Sequence, residues 1–291
     1  MTFEQLNSYP LTGWFPGHML KAGREMHEAL KLVDLVVELC DARAPLSTRN
    51  PALRANLGQK PFLLVVNKAD LAEPAESRRW EAWFTGRGIR TFFLDSSHLR
   101  NPRFLTALWH RIVMEERAAR GATRPLMRPV RMMITGIPNI GKSTLVNRLH
   151  ERNKAKMGPK PGVTRQNQWI TLANDVELLD TPGVLWPDIR TKCHELLLTL
   201  LGNIKDELTE PWMLAEFLIL KIRECGCQDR LMALGLDSVP EEPEDVLIAF
   251  AQRRRLLKEG AEPDLNRASI FLVKEFRDGR LGRFTFEIPA T

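Results

Sequence analysis

Short apolar runs punctuate the first part of the chain. Val33–Leu39, Phe62–Val66, Thr91–Leu94, Val130–Ile134 and Val176–Leu179 are almost continuously hydrophobic, and most end at a polar residue or a glycine turn. That is the pattern of short strands buried on both faces. Helical periodicity fills several of the gaps, at Ser77–Phe84 and Asn101–Glu116, while the polar, Gly- and Pro-containing stretch Arg117–Arg128 reads as a connector. Strands alternating with helices predict a mainly parallel sheet with helices on both faces. After about Pro187 the strand pattern stops. Leu196–Leu201, Trp212–Arg223, Asp245–Lys258 and Asp264–Arg277 read as helices. In the last, Ala268, Leu272 and Phe276 share a face, Asp264 can cap the start, and Gly279 stands where a left-handed residue ends a helix. The expected organisation is an α/β domain over residues 1–187, whose first 30 residues form a separate segment, and an all-α domain over residues 188–291.

Composition narrows this picture a little. With 44% hydrophobic and 27% charged residues in 291, the chain is an ordinary globular protein long enough for two cores. No apolar run approaches the ~20 residues of a membrane span. The opening residues have Glu4, no early arginine cluster and no apolar signal core, so a cytoplasmic location is expected. A net charge of +6 suits a nucleic-acid or ribosomal partner without requiring one. Cys40, Cys193, Cys225 and Cys227 lack a zinc-site spacing and read as reduced thiols.

The strongest chemical signal is "GIPNIGKST", Gly136 to Thr144, between the run Val130–Ile134 and a helix expected to begin at Lys142. It has the G-x-x-x-x-G-K-[ST] form of a phosphate-binding loop. Backbone N–H groups from Asn139, Ile140, Gly141, Lys142, Ser143 and Thr144 can turn toward phosphates at a helix N-terminus. Lys142 is expected to reach the β- and γ-phosphates and Ser143 to ligate Mg²⁺.

"NKAD", Asn67 to Asp70, follows the run Phe62–Val66. A carboxylate at Asp70 can accept from guanine N1–H and N2–H₂, a donor pair that adenine lacks, so the base specified is guanine rather than adenine. Asn67 is expected to hold the loop, and the Lys68 stem to cover the base. "DSS" follows Thr91–Leu94, and Ser96 and Ser97 are candidates for an N–H to guanine O6, with helix capping as the alternative. "DTPG" closes Val176–Leu179: Asp180 is expected to bind Mg²⁺ through water, and the Gly183 N–H to meet the γ-phosphate. Thr164, in "PGVT", is the candidate second hydroxyl on Mg²⁺.

The order of these motifs is unusual. The base-reading NKAD and DSS precede the phosphate loop, giving the order G4-G5-G1-G2-G3, a circular permutation of a P-loop GTPase. Permutation keeps the packed sheet and moves the termini to another loop. It also sends the DTPG loop directly into the helical region, where γ-phosphate-dependent ordering could reposition that region.

With "WFPGHM", "DAR" and its nearby Pro45, "NKAD", "GIPNIGKS", "PGVT" and "DTPG" in place, the chain resembles the circularly permuted ribosome-assembly GTPases of the YlqF/RbgA type, including their mitochondrial relatives. The resemblance implies GTP hydrolysis coupled to late maturation of the large ribosomal subunit, by a monomer, with turnover stimulated on the particle. It also implies a role for His18. The residue after DTPG is Val184, which cannot orient water through its side chain, and the family places a histidine in the aromatic motif. His18 is therefore the candidate water-positioning residue, against a local backbone contact or an rRNA contact. Asn139 resembles the asparagine that ligates K⁺ in GTPases lacking an arginine finger, against a loop-stabilising role. Arg253, Arg254, Arg255 and Lys258, read as part of one helix with Val246, Phe250 and Leu257 on its apolar face, are RNA-contact candidates. Lys154, Lys156, Lys160 and Arg165 load the loop around Thr164. Val184 keeps a second reading open: a nucleotide-gated rRNA- or ribosome-binding module with vestigial catalysis. A GTPase of tRNA modification would need a further domain that the sequence does not show.

Overall fold

The structure, a computed structural model, describes residues 1–12, 26–151, 168–180 and 189–290. Its described residues fall into two compact units: one within Phe15–Pro187 and Ile288–Thr291, the other within Met1–Trp14 and Asp188–Glu287.

In the first unit six strands form one sheet: β1 (Leu35–Asp41), β2 (Phe62–Asn67), β3 (Thr91–Leu94), β4 (Val130–Gly136), β5 (Gln168–Thr171) and β6 (Val176–Asp180). Their spatial order is β3-β2-β1-β4-β6-β5, and every pairing is parallel except β5 on β6. All seven residues of β1 are buried, as a central strand covered on both faces requires. The mainly parallel sheet with helices on both faces, and a helical C-terminal part, is the architecture expected. β5 is not. Its turn onto β6 uses Asn174 (φ 58°) and Asp175 (φ 51°), both left-handed, and Leu172 N–H donates to the Val176 carbonyl at 2.7 Å. Asn and Asp tolerate that conformation, so the turn sets the antiparallel register.

One face of the sheet shows how a buried charge is accommodated. Glu38 lies between Val36 and Cys40, each of which packs in an apolar cluster. Its carboxylate accepts from Arg49 Nε and from the Asn50 N–H, both at 3.0 Å. Burial nevertheless raises its pKa, with Arg49 opposing. The pair fixes the segment after β1 against the sheet.

The second unit is helical. Helix Leu265–Arg277 begins with the Asp264 carboxylate accepting from Arg267 N–H and buries Ala268, Leu272 and Phe276, as the periodicity predicts. It ends in paired bonds, Arg280 N–H to the Glu275 carbonyl and Gly279 N–H to that of Phe276, with Gly279 at φ 74°. The helix read over Asp245–Lys258 ends earlier, at Arg253. Arg255 turns left-handed (φ 54°), and Leu256 N–H and Arg255 N–H close back onto Ala251 and Gln252. Leu257 then bridges Pro263 instead of sharing the face of Val246 and Phe250. An arginine run has good helix propensity, and its local hydrogen-bonded turn overrides that propensity here.

The opening residues also depart from the expected division. Helix Phe3–Asn7 belongs to the helical unit, with Leu6 fully buried and the Phe3 ring 5.9 Å from Phe217. Its start is a reciprocal cap, Thr2 N–H to Gln5 Oε1 at 2.7 Å and Gln5 N–H to Thr2 Oγ1 at 3.3 Å. Further along, Thr12 donates from its N–H and hydroxyl to Glu195, at 3.0 and 2.7 Å, and Glu195 is paired with Lys192 at 2.8 Å. Both members of that ion pair are almost wholly buried.

Candidate nucleotide-binding site

Strand register gathers the motif loops at the carboxyl ends of the central strands. Asp41 pairs with Asn67, Asn67 with Leu94, and Leu39 with Gly136. Open α/β sheets bind ligands at this end, because the loops there leave the strands side by side.

The phosphate loop runs from Gly136 to the helix Lys142–Glu151. Gly136 holds φ 151°, and a Cβ there would meet the Leu39 carbonyl at 2.7 Å. Gly141 holds φ 105°, and a Cβ there would overlap the Asn67 amide. Asn139 is left-handed at φ 53°, and Ile140 is buried. Positive φ at Asn139 and Gly141, on either side of Ile140, is backbone of the kind from which anion-binding loops are built. Ser143 and Thr144 are exposed in the first turn of the helix. The Lys142 ammonium donates to the Gly136 and Ile137 carbonyls, both at 2.8 Å. Burial lowers its pKa to about 8.

Asn67 joins three motifs. Its Nδ2 donates to the Ile140 carbonyl at 2.8 Å, and its Oδ1 accepts the Ser96 N–H at 3.0 Å. Asn67 and Ser96 are both buried. The expectation that Ser96 and Ser97 offer N–H groups to guanine O6 meets a different arrangement. The Ser96 N–H is engaged by Asn67, and the Ser97 N–H donates to Asp95 Oδ1 at 2.8 Å. Ser96 instead braces the loop, and the Ser97 carbonyl accepts from Arg148 at 2.6 Å. Asp70 is exposed, in the short turn Ala69–Leu71 that follows Lys68.

Asp41 and Arg43, the ends of the "DAR" motif, belong to this site. Asp41, fully buried, accepts from Arg43 Nε, Arg43 Nη2 and the Arg43 N–H at 2.9, 2.9 and 3.0 Å. It also faces the Lys68 ammonium at 3.0 Å. Burial opposes its charge, but Arg43 and Lys68 outweigh that and hold its carboxyl well below the usual range. The sequence shows only an Asp closing an apolar run; that this run lies beside the one ending in Asn67 comes from the strand pairing.

The remaining candidates divide in two. His18, Thr164, Gly183, Val184 and the basic residues Lys154, Lys156, Lys160 and Arg165 lie outside the described residues. Asp180 ends β6, and its backbone pairs with Gln168. Among the described residues no group of His, Cys, Asp or Glu forms a metal-holding cluster. Of the three Mg²⁺ candidates, Ser143 is the one whose side chain is described. Arg253, Arg254, Arg255 and Lys258 are exposed at a helix end and the turn after it, not along one helix. Arg254 lies over the Phe250 and Phe271 rings, 5.8 and 5.7 Å from their centroids. No described helix is long and apolar enough to cross a membrane.

A phosphate loop braced against a guanine-type NKxD loop, with the second preceding the first in the chain, defines a circularly permuted P-loop GTPase. A family model described as "50S ribosome-binding GTPase" matches residues 131–221. The match opens at the phosphate-loop strand and leaves out NKAD, as permutation requires. A Bacillus cereus protein named ribosome biogenesis GTPase A is 39% identical over 95% of this chain and 93% of its own length. Mitochondrial ribosome-associated GTPase 1 of Mus musculus is 32% identical over 98% of this chain and 94% of its own. The GDP-bound structure of the Thermotoga maritima protein YlqF has a TM-score of 0.67 and 28% identity, over 91% of this chain and 99% of that one. The chain belongs to the ribosome biogenesis GTPase A family.

Proposed function

We propose that this GTPase acts in late maturation of the large ribosomal subunit and hydrolyses GTP faster on that particle than alone. The observation that carries the nucleotide half is the Asn67 bridge, which locks a guanine-selective loop onto a phosphate loop. The ribosomal half is supported by the names of the relatives.

In this reading Asp70 takes the guanine edge while Asn67 and Ser96 hold the loop that presents it. Lys142 leaves the Gly136 and Ile137 carbonyls for the β- and γ-phosphates, which the N–H groups of Asn139 to Thr144 also face. Ser143, Thr164 and Asp180 hold Mg²⁺, which offsets phosphate charge when bound. The Gly183 N–H meets the γ-phosphate. His18 positions the attacking water in place of the side chain that Val184 lacks, and Asn139 holds K⁺, whose charge stands in for an arginine finger. Arg253, Arg254, Arg255 and Lys258 contact rRNA phosphates. The protein acts as a monomer in the cytoplasm.

Val184 favours one alternative, a nucleotide-gated ribosome-binding module with little catalysis of its own. The experiment that separates the two is GTP turnover in K⁺ buffer, with and without purified large subunits. Marked stimulation supports the assembly GTPase. Tight GTP binding with unstimulated, negligible turnover supports the gated module.

A further inference from the structure

We propose that Asp41 is a positioning residue for guanine-nucleotide binding, acting by anchoring Lys68 of the NKAD loop. The inference deepens the guanine reading of that loop and rests on it.

Asp41 and Asn67 are register partners at the ends of adjacent parallel strands, and the Ala42 N–H donates to the Asn67 carbonyl at 2.8 Å. The base-binding loop therefore starts beside the Asp41 carboxylate. Arg43 alone already gives that carboxylate a two-pronged partner, with Nε on Oδ1 and Nη2 on Oδ2. Lys68 adds a second cation, 3.0 Å from Oδ2. A structural ion pair does not need it, so the second cation calls for another reason.

That reason lies in the Lys68 backbone. At φ 58° and ψ 36° Lys68 is left-handed, a conformation disfavoured for a long side chain. Such strain persists where surrounding structure holds it, often at ligand-binding loops. Lys68 stands between Asn67, which braces the phosphate loop, and the exposed Asp70. Tying its ammonium to a buried carboxylate fixes both the strained turn and the four-carbon stem before nucleotide arrives. An otherwise free lysine stem would lose rotamer entropy on binding; here that ordering is already done. Thr48 supports the same place from behind, its hydroxyl accepting the Asp41 N–H at 2.8 Å and donating to the Ala44 carbonyl at 2.7 Å.

The test is GDP affinity by calorimetry, with thermal melting of each nucleotide-free protein alongside. Asp41→Asn by itself leaves the buried Arg43 guanidinium and the partly exposed Lys68 ammonium uncompensated, so the working variant is Asp41→Asn with Arg43→Met, made in the natural and the Lys68→Met backgrounds. Lys68→Met alone keeps the Asp41–Arg43 pair and is the independent arm. Lys68→Met and the Asp41/Arg43 variant are each expected to weaken GDP binding about tenfold, the scale of a charge-assisted contact. Combined, they are expected to lose no more than Lys68→Met alone. Multiplying losses, an Asp41/Arg43 variant that binds GDP normally, or a Lys68→Met protein that binds GDP normally would each overturn the proposal. Failure of the natural protein to bind GDP would instead overturn the guanine reading itself.

Discussion

The side-chain amide of Asn67 donates to the Ile140 carbonyl at 2.8 Å across 73 residues of sequence. Its other end takes the Ser96 N–H, so one buried side chain sets the spacing of base loop and phosphate loop. Asn67→Ala removes both bonds and leaves a buried carbonyl and N–H without them. At roughly 1–3 kcal/mol for each unsatisfied group, GDP affinity should fall by at least tenfold. Calorimetry with GDP checks this; unchanged affinity would show that the loops do not depend on the bridge.

Lys142 supplies a pH signature. Its folded pKa of about 8 lies below the ordinary value of 10.5, because burial disfavours the ammonium. The folded state thus carries a penalty below pH 8 that is relieved as pH rises toward 10, the window in which the unfolded chain holds more protons. Nucleotide-free Lys142→Met should be more stable than the natural protein at pH 7, with the gap narrowing by pH 9.5. Urea melts at the two pH values measure it; a constant gap would contradict the burial effect.

The buried Lys192–Glu195 pair makes a third case. Lys192→Met leaves Glu195, and the Thr12 groups it holds, with a buried uncompensated carboxylate. The expected loss is ~3–5 kcal/mol. Replacing both with Met should recover part of that loss, and equal losses in the single and double variants would show that the stranded charge is not the cause.

How far the sequence could be read varies with how local each signal is. The phosphate loop, NKAD and the cap and stop of Leu265–Arg277 were legible, because their glycines and capping residues act within a few positions. Thr2 and Gln5 form an equally local capping box at the start of the chain. β5 was obscured because four residues carry too little periodicity, and its signal lay in Asn174-Asp175. The roles of Asp41 and Ser96 depend on which strands pair, which no local pattern contains. The helix end at Arg253 is not legible in the sequence, because arginine continues a helix as readily as it accompanies a turn.

That helix end can itself be tested. Arg255 sits left-handed at φ 54° where glycine is the usual residue. Arg255→Gly relieves side-chain strain while adding unfolded-state freedom, so stability should change by less than ~1 kcal/mol. If the helix instead ran on to Lys258, glycine in its interior would cost ~1 kcal/mol, and a helix-favouring Arg255→Ala would be neutral. In the observed turn Arg255→Ala should be no better than arginine and less stable than glycine. Melts of the two variants give the order directly.

The guanine specificity assigned to Asp70 is tested most directly by exchanging its acceptor for a donor. Asp70→Asn should weaken GDP binding by ~100-fold or more, since guanine N1–H and N2–H₂ lose their shared carboxylate. The same variant should gain affinity for xanthosine diphosphate, which presents a carbonyl where guanine has its amino group. Competition between the two diphosphates on natural protein and variant reads out the exchange. A reversal of preference is the expected result. A variant that still prefers GDP, or a natural protein that binds ADP as well as GDP, would contradict the assignment of Asn67–Asp70 as the guanine-reading loop.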